Sequence, residues 1–533
     1  MTTTGASPTV AAGDRDSGVK LPELVAAFSL ATDLGLGQPM EHVLRSWRIA
    51  ARLGDRIGVD SDERGALYYV TTLAWVGCVA DTPEVAAVFG DDIAFRRDSY
   101  EVDFAGLPLL GFMLRHIGAG SPALHRLRLG AKLIVSGGKA IERGLMSHCL
   151  TTARMAERFG LDDRVCEPLQ QVFTRWDGKG VPGDVGGEDI ALPMRLFHLA
   201  DAVEVHHRTE GTDAAIKLAR ARRGKHFDPT VVDAFCDVAG DVLGDPSDEP
   251  DWRSMIDNES SLQQRLTDSQ FDAALEAIAD FTDLRSASRA GHSRGVAELA
   301  RRAAAERGLP SSDVTAVRRA GLVHDIGLHG IPATILDKPG PLSEREAERL
   351  RMHSYYAERM LARPDELARI GAIASMTHER CDGSGYHRGL AGPAIPATAR
   401  VLAATCAYRS MIESRPHRPA LTAKQAAIEL RSEVRAGRLD AHAVDAVLAA
   451  AGQPHGKRRS GPAGLTPREI EVLALIARGA TTRQVAQRLE ITPKTAETHI
   501  ERIYTKTGAS TRSTATLFAI QHGLLDTLEP LDL

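Results

Sequence analysis

Residues 465–506 read LTPREIEVLALIARGATTRQVAQRLEITPKTAETHIERIYTK, and three helices are legible in them. Thr466 can cap the first helix, Pro467 suits its first position and Glu469 falls at its third, an arrangement that satisfies the free N–H groups of a helix start. Ile470, Leu473, Ile476 and Ala477 then form an apolar face, and Gly479 ends it. A second, short helix over Thr482–Leu489 buries Val485, Ala486 and Leu489. After the turn Glu490-Ile491-Thr492, Pro493 opens a third helix with Thr492 as its cap, and Ala496, Ile500 and Ile503 at i, i+4 and i+7 face inward.

That leaves Lys494, Thr495, Thr498, His499 and Arg502 on the outward side, near the start of a helix long enough to enter a major groove. Lys494 and Arg502 can neutralise phosphate, while Thr495, Thr498 and His499 can reach base edges or backbone oxygens. Charge agrees with this placement. Residues 456–525 hold 11 Lys/Arg against 5 Asp/Glu, and with three acids in the tail this leaves residues 1–455 at −8 of the total −5. The basic surplus that a polyanion needs thus belongs to the C-terminal segment alone.

The segment closely resembles the LuxR-type helix-turn-helix. Leu465-Thr466-Pro467-Arg468-Glu469, Glu471-Val472-Leu473, Gly479, Val485-Ala486, Leu489, Lys494-Thr495, His499, Ile503 and Lys506 all stand at family positions, and Ala496 replaces the usual Val at a small loss of core volume. The resemblance implies a four-helix domain whose third helix reads double-stranded DNA, with Lys506 in the DNA-binding set. It also implies a homodimer on two half-sites.

Upstream, Ala451–Gly464 (AGQPHGKRRSGPAG) has the composition of a linker, and residues 1–20 have too little apolar surface to offset ordering entropy, so they are expected to form a disordered arm. Between them apolar residues recur at spacings of three and four, which predicts helix throughout. The 533 residues, 43% apolar and 25% charged, suffice for three or four domains. Six unpaired cysteines and the lack of an apolar run of membrane length predict a cytoplasmic protein without a disulfide framework.

An internal repeat relates Arg175–Ala202 to Arg380–Ala407 without gaps at an offset of 205. Arg175/Arg380, Asp177/Asp382, Gly178/Gly383, Gly180/Gly385, Gly187/Gly392, Ile190/Ile395, Arg195/Arg400 and Ala202/Ala407 match. They outline a turn, a loop and a following helix, which predicts two copies of one helical domain, residues 21–255 and 256–450.

In the second copy His292 opens a helical pattern, His324-Asp325 ends another, and His353 and His378 follow within helical patterns. Imidazoles and a carboxylate converging from separate helices suit Fe, Mn or Zn, and an ion held there acidifies water towards neutral pH, as phosphodiester hydrolysis requires. Residues 291–450 resemble an HD-GYP domain, a phosphohydrolase family associated with cyclic dinucleotides, especially cyclic di-GMP. The resemblance is carried by Gly291-His292-Ser293, GLVHDIG at 321–327, Ile331-Pro332, KPGPL at 338–342, His353 and HERCDGSGY at 378–386. It implies that His292, His324, Asp325, His353 and His378 bind metal and that His324 and Asp325 are catalytic.

The copy departs from the family pattern in four places. Leu328 replaces a Lys, Thr377 the first of two histidines, His387 the Pro of the naming tripeptide, and Cys406 a metal-ligating Asp. A thiolate binds zinc but does not supply a hard bridging oxygen, so Cys406 joins the metal set while weighing against hydrolysis. In the first copy Trp75-Val76 and Val172-Phe173 stand where the ligands would be, and only His42, His148 and Asp201 remain. Buried Trp75 and Phe173 are expected to fill the vacated site with apolar volume, leaving a degenerate domain for packing, dimerisation or sensing.

The expected fold is all-α: two HD-type helical domains followed by a four-helix LuxR-type domain at 465–533. The leading function is a DNA-binding transcriptional regulator with sensory HD halves and a cyclic dinucleotide ligand. The alternative is an active metal-dependent cyclic dinucleotide phosphodiesterase fused to a DNA-binding module.

Overall fold

The computed structural model describes residues 14–103, 106–119, 122–135, 139–245, 251–453, 462–509, 511–522 and 524. Residues 1–13 of the expected arm, 454–461 of the expected linker and 525–533 of the tail lie outside that range. The fold is all-α as expected, and the only sheet among the described residues is two-stranded, Asp16–Lys20 pairing antiparallel with Arg265–Thr267. The arm expectation therefore needs correction at its end. Val19 is fully buried and Ser17 donates its hydroxyl to the Leu266 carbonyl, a partner some 250 residues away that local composition does not reveal. No single described helix is long and apolar enough to cross a membrane.

The chain divides into two compact units, residues 1–451 and 452–533. In the first, each strand leads into a buried helix, Leu21–Gly35 or Asp268–Asp283. Each of these helices ends at a carboxylate that accepts a backbone N–H at the start of the next: Asp33 from Val43 and Asp283 from Ser293, both at 3.0 Å. The helices so anchored, His42–Ile57 and His292–Glu306, each follow a left-handed residue, Glu41 and Gly291, both with φ of 73°.

These pairs stand 250 positions apart, whereas the loops after residue 139 stand 205 apart, so the first copy carries 45 additional residues. They lie between the turns Val76–Val79 and the helix Lys139–Arg158, where the helices Thr82–Phe89, Asp92–Ser99, Gly106–His116 and Ala123–Val135 are found. The corresponding turn of the second copy, Ile326–Gly330, leads almost directly to the helix Glu344–Met360. Close backbone approach explains why glycine recurs: a Cβ at Gly77 would strike the His148 carbonyl, and one at Gly327 the His353 carbonyl. The two turns are thereby pressed against equivalent helices.

A hydrophobic core runs through both copies. Phe28 of the first meets Phe281 and His329 of the second edge-on, with centroids 6.5 and 6.2 Å apart. Beside it the buried Arg285 donates to Asp92 and Thr82, each at 3.0 Å, and Asp92 also accepts Arg96 and the backbone N–H of Ala333, each at 2.9 Å. A buried carboxylate between two guanidiniums satisfies charge that would otherwise be costly to desolvate.

Among the described residues the second unit holds four α-helices, Pro467–Ala477, Thr482–Arg488, Pro493–Thr507 and Arg512–Gln521. Thr466 and Thr481 close capping boxes with Glu469 and Gln484, and Thr492 accepts the Thr495 N–H. Val472, Leu473, Val485, Ala496 and Ile503 are fully or almost wholly buried, and each large member contributes roughly 1.5–3 kcal/mol on leaving water.

Candidate metal centre and DNA-reading helix

Five elements of the second copy deliver the site. His292 is the first residue of its helix, directly after left-handed Gly291. His324 caps the helix Ser311–Val323, and Asp325 follows it into the tight turn held by Gly327. His353 comes from the helix Glu344–Met360 and Cys406 from Ala397–Ile412. His378 differs from the helical expectation: it lies in the turn after the helix Asp365–Ala374, where the chain reverses into the glycine loop. That loop folds tightly because a Cβ at Gly385 would collide with the backbone of Glu379 and Arg380.

The side chains converge in two groups, each with its donor atoms within 4.8 Å of one another: His292, His324 and Cys406, and Asp325, His353 and His378. Asp325 Oδ2 joins them, standing 3.3 Å from His324 Nε2 and 3.7 Å from His292 Nε2. Three imidazoles are oriented through their other nitrogen. His324 Nδ1 donates to the Gly321 carbonyl at 2.9 Å, His353 Nδ1 to the Leu350 carbonyl at 2.6 Å, and His292 Nδ1 to Glu413 at 2.6 Å. For His324 and His353 this fixes the tautomer with an Nε2 lone pair facing the centre, as metal-ligating histidines require, while His292 Nδ1 also has Arg415 Nη2 at 3.2 Å.

Burial pushes all four imidazoles down, His353 to about 4 and His292, His324 and His378 well below their ordinary value, and the nearby Arg289 adds to the effect. They are neutral near pH 7 and able to ligate. His292 Nε2 is buried without a hydrogen-bond partner, an atom left for something else to satisfy. The residues therefore fit a divalent ion.

The sequence reading missed Arg289, whose Nη2 pairs with Asp325 Oδ2 and brings a positive charge to the ligand cluster. No periodicity marks it, because it precedes the helix; its role depends on the reversal at Gly291. Glu413 was missed too, since it follows Cys406 by seven residues and reaches His292 only across the folded core. The four departures from the family pattern have visible accommodations. Leu328 packs with Ile331 and Ile335, Thr377 donates its hydroxyl to the Ala374 carbonyl at 2.7 Å, and His387 Nε2 meets Glu358 at 2.7 Å. Cys406 Sγ lies 3.6 Å from His324 Nε2.

The first copy is closed by its own side chains. His42 stands between Glu204, 2.5 Å from Nδ1, and Asp201, 3.1 Å from Nε2. Burial would lower its pKa, but the two carboxylates outweigh burial and hold it up to about 10. Trp75 donates its indole N–H to the same Asp201 oxygen at 3.0 Å and packs edge-on against His148, Phe173, Phe197 and Tyr100. His148 Nε2 is 2.8 Å from the Ala74 carbonyl. At the 250 offset His324-Asp325 pair with Ala74-Trp75, one residue before the expected Trp75-Val76; Trp75 and Phe173 occupy the place, yet both are half-buried rather than buried. Trp75 contributes a polar anchor as well as apolar volume, which the expectation of simple filling left out.

In the C-terminal unit Lys494, Thr495, Thr498 and Arg502 are exposed, and His499 is half-buried with Nδ1 unpartnered. Lys506 differs from a free phosphate contact. Its ammonium meets Glu469 at 2.7 Å and the Gly464 carbonyl at 2.9 Å, tying the third helix to the start of the first.

The geometry meets its counterpart in two family models: "HD domain" over residues 276–443 and "Bacterial regulatory proteins, luxR family" over residues 463–519. The chain joins an HD domain to a LuxR-type DNA-binding domain. Across 405 residues, 75% of this chain and 88% of the relative, it is 26% identical to 3'3'-cGAMP-specific phosphodiesterase 3 of Vibrio cholerae. A cyclic di-GMP phosphodiesterase of Thermotoga maritima is 34% identical over 160 residues, which span 30% of this chain and 44% of the relative. A solved structure of a cyclic GMP-AMP-specific phosphodiesterase from V. cholerae shares the fold, with a TM-score of 0.58 at 23% identity over 83% of this chain and 98% of that one. The HD domain thus sits within a longer helical region of matching architecture, and the LuxR-type domain follows it.

Proposed function

We propose that this protein is a DNA-binding transcriptional regulator, acting as a homodimer, whose HD region receives a cyclic dinucleotide. Residues 21–255 serve as a degenerate HD-like domain, 256–450 as the HD-GYP-like domain and 465–533 as the DNA-binding domain, with 451–464 as linker. The observation that carries the reading is the union in one chain of a buried His/Asp/Cys donor cluster with a helix whose Lys494, Thr495, Thr498 and Arg502 face solvent. His292, His324, Asp325, His353, His378 and Cys406 would hold one or two divalent ions. When bound, such an ion supplies Lewis acidity towards a phosphodiester. The DNA contacts are Lys494, Thr495, Thr498, His499 and Arg502, with Lys506 supporting the reading helix.

Cyclic dinucleotides are the favoured ligand because the relatives over most of this chain and over the HD domain are named for 3'3'-cGAMP and cyclic di-GMP. A ligand regulates only by preferring one of two states, so coupling must appear as a change in DNA affinity. DNA fragments selected by the full chain from a random duplex pool should bind with affinity altered by about fivefold or more when 3'3'-cGAMP or cyclic di-GMP saturates the protein. Unchanged affinity and oligomeric state would overturn the sensory role.

A second reading, an active phosphodiesterase with His324 and Asp325 as catalytic residues, is favoured by the persistence of two complete donor triads. Turnover of either dinucleotide with Mn, Fe or Zn, lost in His324→Ala, would establish it. Binding without turnover would leave the regulator reading alone.

A further inference from the structure

We infer that Cys406 divides the centre into two chemically unlike metal pockets: a thiolate–imidazole pocket of His292, His324 and Cys406 that selects zinc, and a harder pocket of Asp325, His353 and His378. The inference rests on the reading that this cluster holds metal, and it adds the identity of the ion that the thiolate pocket takes.

The cysteine is not the sole support. His292 is 1% exposed, its Nε2 has no hydrogen-bond partner, and the residue belongs to the same 4.8 Å group as Cys406 and His324. Zinc–sulfur and zinc–nitrogen bonds of roughly 2.3 and 2.0 Å in a tetrahedron place the two donors about 3.5 Å apart. Cys406 Sγ and His324 Nε2 stand at 3.6 Å. Partners outside the pocket hold its two imidazoles, Glu413 behind His292 and the Gly321 carbonyl behind His324.

The comparison within the chain sharpens the argument. At the position equivalent to Cys406, Asp201 of the first copy is consumed by His42 and Trp75. In the second copy Asp325, the only carboxylate in the two triads, is paired with Arg289. Cys406 Sγ is held by hydrogen-bond contacts alone, His324 Nε2 at 3.6 Å and the Ser410 hydroxyl at 4.0 Å, with Arg289 near enough to act on it as well. Soft thiolate favours zinc over manganese, whereas a carboxylate with two imidazoles suits harder ions.

The test uses the full-length chain stripped by chelator and titrated with Co(II), then Zn(II), in parallel with Cys406→Ser and Cys406→Asp. Bound cobalt should produce thiolate-to-cobalt absorption in the near ultraviolet, zinc should abolish it, and both variants should lack it. The preference for zinc over manganese should fall by about tenfold or more in Cys406→Asp, whose oxygen donor matches harder ions. Circular dichroism of each variant confirms folding, and X-ray absorption of the zinc-loaded wild type supplies an independent count of sulfur ligands. Cobalt binding without the absorption band and without sulfur at zinc would overturn the inference while leaving the metal-site reading intact. Failure of the wild type to bind any of the three ions would overturn both.

Discussion

Arg289 reaches across the ligand cluster to pair with Asp325 Oδ2, the atom that stands 3.3 Å from His324 Nε2. The carboxylate needed by a divalent ion is therefore shared with an internal cation, and the two must compete. Removing the guanidinium should favour the ion: Arg289→Gln is expected to raise Mn(II) affinity by about tenfold, the scale at which neighbouring groups tune metal sites. Isothermal titration of the full chain measures it, and weaker or unchanged binding would show that Arg289 does not hold Asp325 away from metal.

Glu413 orients His292 at 2.6 Å from its Nδ1. Glu413→Ala should weaken metal binding by about 10–100-fold while leaving the helical circular dichroism unchanged. An affinity equal to wild type would mean that His292 needs no outer support or takes no part in ligation.

Asp92 lies between Arg285 and Arg96 in the contact joining the two copies. Asp92→Ala takes from buried Arg285 its carboxylate partner, while Arg96 keeps Asp81, and is expected to cost about 3–5 kcal/mol, read from urea unfolding. A loss under about 1 kcal/mol would demote the network to a surface pair in energetic terms.

Buried histidines set the acid limit of stability. His198 is held down to about 4 and His329 to about 3, in both cases chiefly by burial, against an ordinary value of 6.5. Below pH 6.5 the unfolded chain takes up protons that these folded rings refuse, so their contribution is present above 6.5 and is lost as pH falls towards 4 and 3. For His198 alone the loss by pH 4 is of order 3 kcal/mol. His198→Gln should flatten the urea midpoint between pH 6.5 and 4; an unchanged slope would assign the acid sensitivity elsewhere.

The three basic residues of the reading helix should separate by experiment. Lys494→Ala and Arg502→Ala are each expected to weaken DNA binding across sequences and to lower the salt slope by about one. Lys506→Ala, whose bond runs to Glu469, should mainly destabilise the domain. An equal salt-slope change for Lys506 would return it to the phosphate contacts.

The DNA-binding unit was legible residue by residue because its signals are local. Thr466 and Thr492 cap, Pro467 and Pro493 start, and Ile500 and Ile503 face inward through interactions within a few positions of one another. The repeat was legible without gaps at the offset of 205, and upstream only to within one residue, with Trp75-Val76 set against His324-Asp325 where Ala74-Trp75 belong. The second register, 250, is written in Thr32-Asp33-Leu34 and Thr282-Asp283-Leu284, and the 45 additional residues between the registers conceal it.

Metal-type donors could be nominated from the chain because histidine and aspartate announce their chemistry wherever they stand. Their grouping could not. Cys406 beside His324, Glu413 behind His292, Arg289 on Asp325 and Trp75 on Asp201 are contacts between segments far apart in sequence or released from helical periodicity by a turn. Sequence alone determined the helices, the donor types and the basic reading face, since these follow from short-range spacing and side-chain chemistry. Tertiary packing alone decided which donors share a pocket, which charges neutralise one another and why residues 16–20 form a strand, because each depends on distances that only the folded core imposes.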